Sequence, residues 1–171
     1  MDLGTYIEYQ GKAAVRFERI YPHPIERVWA AVTESDELAR WFPSRVDHQG
    51  EVGGTIAFHG DPYSNPDTGT ILEFVPPTTF GFTWGPDKLH LTLEKRGESC
   101  RLVLINVLSE ANTAARNASG WTVCLAELDK VLAGVQGGGP HSEAADAGFE
   151  GIMAKYVAAG MPSGAVIPTK D

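Results

Sequence analysis

Residues 112–133, NTAARNASGWTVCLAELDKVLA, carry the longest periodic pattern in the 171-residue chain. Trp121, Leu125, Leu128 and Leu132 recur at intervals of three and four residues, so they share one face of an α-helix. Gly134 follows directly, and glycine commonly ends helices. The pattern predicts one long amphipathic helix whose apolar stripe must cover another layer of the fold.

The region before this helix predicts the layer that the stripe covers. Apolar and polar residues alternate along residues 13–21, and turn-forming residues separate further strand-like stretches at 55–58, 70–75, 79–84, 88–95 and 100–108. Such spacing indicates an antiparallel sheet. Between the first strand and the others, residues 25–32 and 35–42 predict two short helices. We therefore expect an α+β fold in which a strongly curved antiparallel sheet wraps around the long helix.

A second, weaker helical pattern follows a glycine-rich linker at residues 134–140. Its apolar positions are Phe149, Ile152, Met153, Tyr156 and Val157. We therefore divide the chain into a domain at 1–134 and an extension at 135–171, made of a flexible linker, an extra C-terminal helix and a tail. So short a helix is marginal alone in water and must dock on something. Our hypothesis is that it packs against a second subunit in a homodimer.

Composition narrows the class of protein and its partners. The net charge is −8, which repels phosphate backbones, so we expect no nucleic-acid partner. No apolar run approaches the roughly 20 residues of a membrane span. The N-terminus lacks a basic segment followed by an apolar one, and two cysteines are too few for a disulfide framework. These features predict a cytoplasmic protein with free thiols.

Signatures of catalysis and of metal or cofactor binding are absent from the sequence. It contains no G-x-S-x-G, phosphate-binding or dinucleotide-binding pattern, and its five histidines lack zinc-ligand spacing. Asp61, Asn65 and Asp67 differ from the calcium-binding loop and are interpreted as solvated turn residues. Glu73 could act as an acid or base if it were buried, but we place it on the exposed face of the sheet. The sequence thus predicts no catalytic residue, metal or cofactor.

Candidate ligand-binding residues follow from strand parity and from the helix stripe. Phe80, Phe82 and Trp84 share one strand face, and Asn106 shares the inward face of its strand with Leu102 and Leu104. The aromatic residues could form either a cavity wall or plain core, and the buried amide could bond nearby backbone or a ligand. We predict a ligand cavity between sheet and helix, lined by Trp41, Phe42, Phe82, Trp84, Asn106, Trp121, Leu125 and Leu128.

Several local phrases resemble one known family when they are taken together and in order. They are PIERVW at 24–29, LARWF at 38–42, the glycine pair at 53–54, GTILEFVPP at 69–77 leading to FTW at 82–84, and GW at 120–121. This succession is similar to the activators of heat-shock-protein-90 ATPase within the START-like (SRPBCC) superfamily. The resemblance covers residues 15–133.

The resemblance implies a helix-grip fold with a cavity for a hydrophobic small molecule, lipids included. Two alternatives remain open: a cyclase or dehydratase that uses the same cavity, and a chaperone-associated interaction module. Chaperone activation in the eponymous proteins also depends on a separate N-terminal domain, which 171 residues do not accommodate beside this one. The resemblance therefore favours a stand-alone binding domain over a chaperone partner.

Overall fold

A computed structural model describes residues 2–170 as eight strands and four α-helices. The strands are β1 (Thr5–Tyr9), β2 (Lys12–Tyr21), β3 (Arg45–His48), β4 (Thr55–His59), β5 (Asp67–Val75), β6 (Thr79–Trp84), β7 (Asp87–Arg96) and β8 (Ser99–Val107). The helices are α1 (Ile25–Thr33), α2 (Ser35–Trp41), α3 (Ala114–Leu132) and α4 (Glu143–Ala158), and a short 3₁₀ turn, Ala111–Thr113, precedes α3. The predicted α+β helix-grip architecture is confirmed.

All eight strands form one curved antiparallel sheet in the order β1-β2-β8-β7-β6-β5-β4-β3. Sequence neighbours are paired throughout, except that β2 pairs with β8 after the two short helices and the meander β3–β8. This pairing brings the first long strand beside the last one and leaves one concave face for α3. Within the described residues, none of the helices is both long enough and apolar enough to cross a bilayer.

The sheet begins one strand earlier than the sequence predicted. β1 pairs with β2 from Thr5 opposite Arg16 to Tyr9 opposite Lys12, so the two short helices follow the second strand and not the first. Gln10 and Gly11 make the two-residue turn, both with positive φ, as hairpin turns of this length require. The strand was missed because its residues lie at a sheet edge and show little apolar contrast along the chain.

The concave face of the sheet is built from rows of apolar side chains in register across the strands. One row runs through the aligned residues Phe17, Leu104, Leu91, Phe80 and Phe74. The leucines of β7 face inward as parity predicted, while His90 lies on the opposite face, 3.1 Å from a carboxylate oxygen of Glu73. Glu73 is about half exposed, which confirms its predicted place on the outer face.

Helix α3 crosses this concave face and ends at Leu132, two residues before Gly134. The N–H of Gly134 bonds to the carbonyl of Val131, and that of Val135 bonds to Lys130, with Gly134 at φ 71°. This pair of bonds closes the last turn, and the left-handed glycine reverses the chain. Trp121, Leu125 and Leu128 are at most 1% exposed, as the apolar stripe predicted.

Helix α4 packs on α3 of the same chain, so the docking target proposed from the sequence is wrong. Tyr156 is 1% exposed, and its hydroxyl lies 2.6 Å from Thr122 Oγ1 on α3 and accepts a 2.8 Å hydrogen bond from the Gly4 N–H. Val157, the next residue, faces solvent at 46% exposure because it lies on another side of the helix. The apolar stripe of α4 that motivated the dimer hypothesis packs within one chain, so it no longer supports a dimer. The division of the chain after residue 134 stays a prediction.

Replacing Trp121 by Ala should lower the free energy of unfolding by about 3–5 kcal/mol, the range for truncating a large buried aromatic residue. Urea denaturation measures this loss. Trp121→Phe should lose less, because phenylalanine keeps one aromatic ring and gives up only part of the buried ring volume together with the indole N–H. Equal stability of the Trp121→Ala variant and the parent would contradict the placement of α3.

Replacing Tyr156 by Phe should lower stability by about 1–3 kcal/mol, because it leaves the buried Gly4 N–H without an acceptor. Thermal or urea unfolding tests this, with Val157→Ala as the matched control on the exposed side of α4. If the two variants were equally stable, α4 would not be anchored through the Tyr156 hydroxyl.

Candidate functional site

A buried polar network joins the sheet to α3 at one end of the core. Asn106 of β8 is 0% exposed and stands in an apolar row between Val15 and Leu89. Its Oδ1 accepts from the Trp121 indole at 3.1 Å, and its Nδ2 donates to Asp87 Oδ2 at 3.1 Å. The inward direction predicted for Asn106 is thus correct.

The same network leaves the Asn106 amide no spare hydrogen-bonding capacity. Its Nδ2 also lies 3.3 Å from each of the Lys88 and Val107 carbonyls, and its Oδ1 accepts a second bond from Asn117. Asn117 and the backbone N–H of Ser109 in turn donate to the Asp87 carboxylate. The network therefore fixes the position of α3 on the sheet.

Most of the predicted wall residues fill the space between sheet and helix instead of enclosing a void. Phe42 lies at the centre of this aromatic cluster, with the Trp121 ring centroid 5.5 Å away and the Trp84 centroid 6.1 Å away. Trp41, Phe58 and Phe82 surround the same ring at 5.8–6.2 Å. The aromatic side chains around Phe42 therefore pack the core between the sheet and α3.

The first cavity lies on the flank of α3 that faces α4, and we call it the α3–α4 cavity. Its volume is about 250 Å³. Helix α3 forms its floor, α4 and the tail form its outer wall, and the β4–β5 loop closes one side. It is lined by Pro43, Asp61, Tyr63, Trp84, Arg116, Asn117, Gly120, Trp121, Val123, Cys124, Pro140, His141, Ala145, Asp146, Phe149, Ile167 and Pro168.

A second, wider cavity adjoins the first at the strand ends, and we call it the mouth cavity. Its volume is about 780 Å³, within the range of about 300–1,000 Å³ usual for small-molecule pockets. It is formed by the β4–β5 loop, the β6–β7 turn, the segment between β8 and α3, and residues 164–168 of the tail. Both cavities share Asp61, Tyr63, Trp84, Arg116, Asn117 and Pro168.

Two of the eight predicted site residues line these cavities. Trp84 lines both and Trp121 lines the α3–α4 cavity. The other six line neither of the two: Trp41, Phe42, Phe82, Asn106, Leu125 and Leu128. The two tryptophans thus connect the aromatic cluster to the cavities, and the open space lies on the flank of α3 and at the strand ends, not directly between α3 and the sheet.

The C-terminal tail is tied across the cavities by polar contacts. Lys170 forms an ion pair with Asp146 of α4 and donates to the His141 carbonyl at 3.0 Å. This pairing lowers the pKa of Asp146, mainly through the hydrogen bond from Lys170. Ala115 N donates to the Pro162 carbonyl at 2.9 Å. Folding of residues 161–170 over α3 therefore completes the wall.

The β4–β5 loop and the segment between α2 and β3 are held to the extension by two further contacts. Tyr63 donates its hydroxyl hydrogen to Asp146 Oδ1 at 2.9 Å, and burial raises the pKa of that phenol. His141 donates Nε2–H to the Pro43 carbonyl at 2.6 Å, with Asp61 Oδ1 3.6 Å away. The Asp61 side chain is only 13% exposed, so its interpretation as a solvated turn residue is wrong.

Gly120 opens the floor of the α3–α4 cavity. It lies in the middle of α3, and a Cβ added there would meet no atom within 4 Å. Packing against neighbours therefore does not explain why this position lacks a side chain. The space that a side chain would occupy belongs to the cavity.

Sequence reasoning missed the residues that line the cavities outside the periodic elements. Tyr63, His141 and Asp146 come from a loop and from the extension, and no pattern relates them along the chain. Gly120 did carry a signal, since an interior glycine costs an exposed helix about 0.5–1 kcal/mol relative to alanine. Arg116, one turn before Gly120, had no sequence feature that marked it as a cavity residue.

Comparison with known families identifies the fold's relatives. The family described as activator of Hsp90 ATPase homolog 1-like protein matches residues 22–133, from the end of β2 to the end of α3. The chain belongs to this family. The resemblance drawn from the sequence is thereby confirmed, and β1, β2 and the extension fall outside the matched region. No functionally curated protein has a significant match to the chain.

Solved structures share the family's fold over more of the chain. CalU16 from Micromonospora echinospora superposes with a TM-score of 0.71 at 19% identity, covering 91% of this chain and 94% of that protein. A conserved protein of unknown function from Enterococcus faecalis, EF2215, gives 0.72 at 21% identity, covering 91% and 89%. The protein encoded by BPP1335 of Bordetella parapertussis gives 0.67 at 28%, covering 84% of each chain. A coverage of 91% exceeds what residues 1–133 alone could supply, so these matches reach into the extension.

Removing residues 163–171 should open the α3–α4 cavity and expose Cys124 on its wall. Cys124 is 2% exposed and burial raises its thiol pKa, so it should react slowly in the full chain. Truncation should raise its labelling rate by a thiol reagent, because a locally opened site exposes groups that the closed structure protects. Cys100, buried on β8, is the internal control and should stay unreactive. Unchanged labelling of Cys124 would mean that the tail does not close the cavity.

Proposed function

We propose that the chain binds an apolar or aromatic small molecule, and that the molecule lies in the α3–α4 cavity and extends toward the mouth cavity. The family's fold supplies the frame, and the cavity walls supply the chemistry. Trp84, Trp121 and Phe149 offer aromatic surface, while Arg116 and Asn117 offer polar groups at the junction with the mouth. Apolar walls with a few placed polar groups are typical of ligand pockets.

The observation that carries the proposal is the open space above Gly120. Alanine at this position would stabilise α3 and would touch no neighbouring atom within 4 Å. A glycine here is therefore costly for folding alone. It is accounted for if the space above it receives part of a ligand.

An enzyme of the cyclase or dehydratase type would need an acid or base directed at the ligand. Three of the ionisable side chains of the α3–α4 cavity, Tyr63, His141 and Asp146, already form links between elements of the protein. Tyr63 donates to Asp146, Asp146 pairs with Lys170, and His141 Nε2 donates to a backbone carbonyl. Because these side chains already have partners within the protein, the arrangement favours ligand binding over catalysis.

Gly120→Leu should abolish binding by filling the cavity, while helix propensity raises stability by about 0.5–1 kcal/mol. The probe is 2-naphthalenemethanol, a neutral aromatic alcohol, followed by calorimetry and by the fluorescence of Trp84 and Trp121. We expect at least a tenfold loss of affinity. Gly151→Leu is the matched control, because Gly151 is an exposed glycine of α4 with equally open surroundings.

Three outcomes would contradict the proposal: no binding of any aromatic probe by the parent chain, equal binding by the Gly120→Leu variant, or an equal loss in Gly151→Leu. A chaperone-associated role would not depend on the space above Gly120. Stimulation of a chaperone ATPase that is the same in the parent and in Gly120→Leu would favour that alternative.

A further inference from the structure

Arg116 is the charged group of the α3–α4 cavity whose contacts leave its charge unbalanced. It lies in the first turn of α3 and lines both cavities. Its Nε donates to Asn117 Oδ1 at 3.1 Å and its Nη1 donates to the Val166 carbonyl at 3.0 Å. Both partners are neutral. Among residues 2–170, no carboxylate oxygen lies within 4.0 Å of the Arg116 guanidinium.

The two carboxylates that line the same cavity have other partners. Asp146 is paired with Lys170 and accepts the Tyr63 hydroxyl. Asp61 accepts the Tyr63 backbone N–H at 2.8 Å and faces His141. Neither acid therefore neutralises Arg116.

The carboxylates that line the mouth cavity either have hydrogen-bond partners within the protein or are exposed to water. Asp87 accepts three hydrogen bonds, from Ser109 N, Asn106 and Asn117. Asp67 and Glu110 are exposed, and water screens their charges at the rim. The positive charge at the junction of the cavities is thus left for a ligand to balance.

We propose that the ligand is an aromatic acid: a planar apolar body in the α3–α4 cavity with one carboxylate or equivalent anionic oxygen pair on Arg116. This inference rests on the proposed function and specifies its ligand class. A carboxylate can accept two N–H bonds from one guanidinium and is a stronger acceptor than a backbone carbonyl. The carboxylate would replace the Val166 carbonyl as the acceptor of the hydrogen bond from Arg116 Nη1. The partial positive charge at the start of α3 acts in the same direction.

The test compares three probes with the same ring system and different head groups. They are 2-naphthoic acid, neutral 2-naphthalenemethanol and cationic 2-naphthylmethylamine, each titrated by calorimetry into the full chain at neutral pH. We expect the acid to bind at least tenfold more tightly than the alcohol, and the amine to bind most weakly. Arg116→Gln should remove the preference for the acid, so that the ratio of the affinities for acid and alcohol falls at least tenfold toward one. Arg116→Lys should keep part of the preference.

Arg40→Gln provides the matched control. Arg40 is exposed on α2, also reaches a backbone carbonyl, that of Val135 at 3.5 Å, and lines neither cavity. It should leave the preference for the acid intact. Equal affinities of the parent for acid and alcohol, tighter binding of the amine, or an undiminished preference in Arg116→Gln would overturn the inference alone. If none of the three probes binds, the proposed function fails together with it.

Discussion

The hydrogen bond from the Trp121 indole to the Asn106 amide fixes how the long helix lies on the sheet. An amide in an apolar row must be satisfied, because a buried polar group without a partner costs about 1–3 kcal/mol. Here the partners come from three elements: the start of β7, the end of β8 and the first turns of α3. Sliding α3 by one turn would leave the Asn106 Oδ1 without its two donors, Asn117 and Trp121, so the network selects one register among those that the leucine stripe allows.

That register determines where open space can remain. With Trp121 directed at the sheet, the ring of Phe42 and its aromatic neighbours fill the grip. Gly120 and Arg116 then face the other flank of α3, toward α4 and the tail. The C-terminal extension therefore has a double role, since it covers apolar surface of α3 and encloses the cavity at the same time.

The layers of this fold could be predicted because they have short, regular periods. Alternation placed Phe80, Phe82 and the leucines of β7 on the inner face, and the interval of three and four residues placed Trp121, Leu125 and Leu128. The position of the cavity could not be predicted. It depends on loop residues such as Tyr63 and on the docking of α4, which rests on the hydroxyl of Tyr156 and has no sequence period. The aromatic residues were correctly expected to be buried, but sequence alone left open whether they surround a void or fill it.

The bond between Gly4 and Tyr156 joins residues 152 positions apart in the chain. Gly4 has no room for a side chain there, since a Cβ would lie 2.5 Å from the Phe17 ring. Contacts of such large sequence separation close late in folding, because the entropy of a long loop opposes them. During synthesis, β1 can pair with β2 early, but the bond from Gly4 to Tyr156 can form only after α4 has left the ribosome. Anchoring of the residue that precedes β1 therefore waits for the extension.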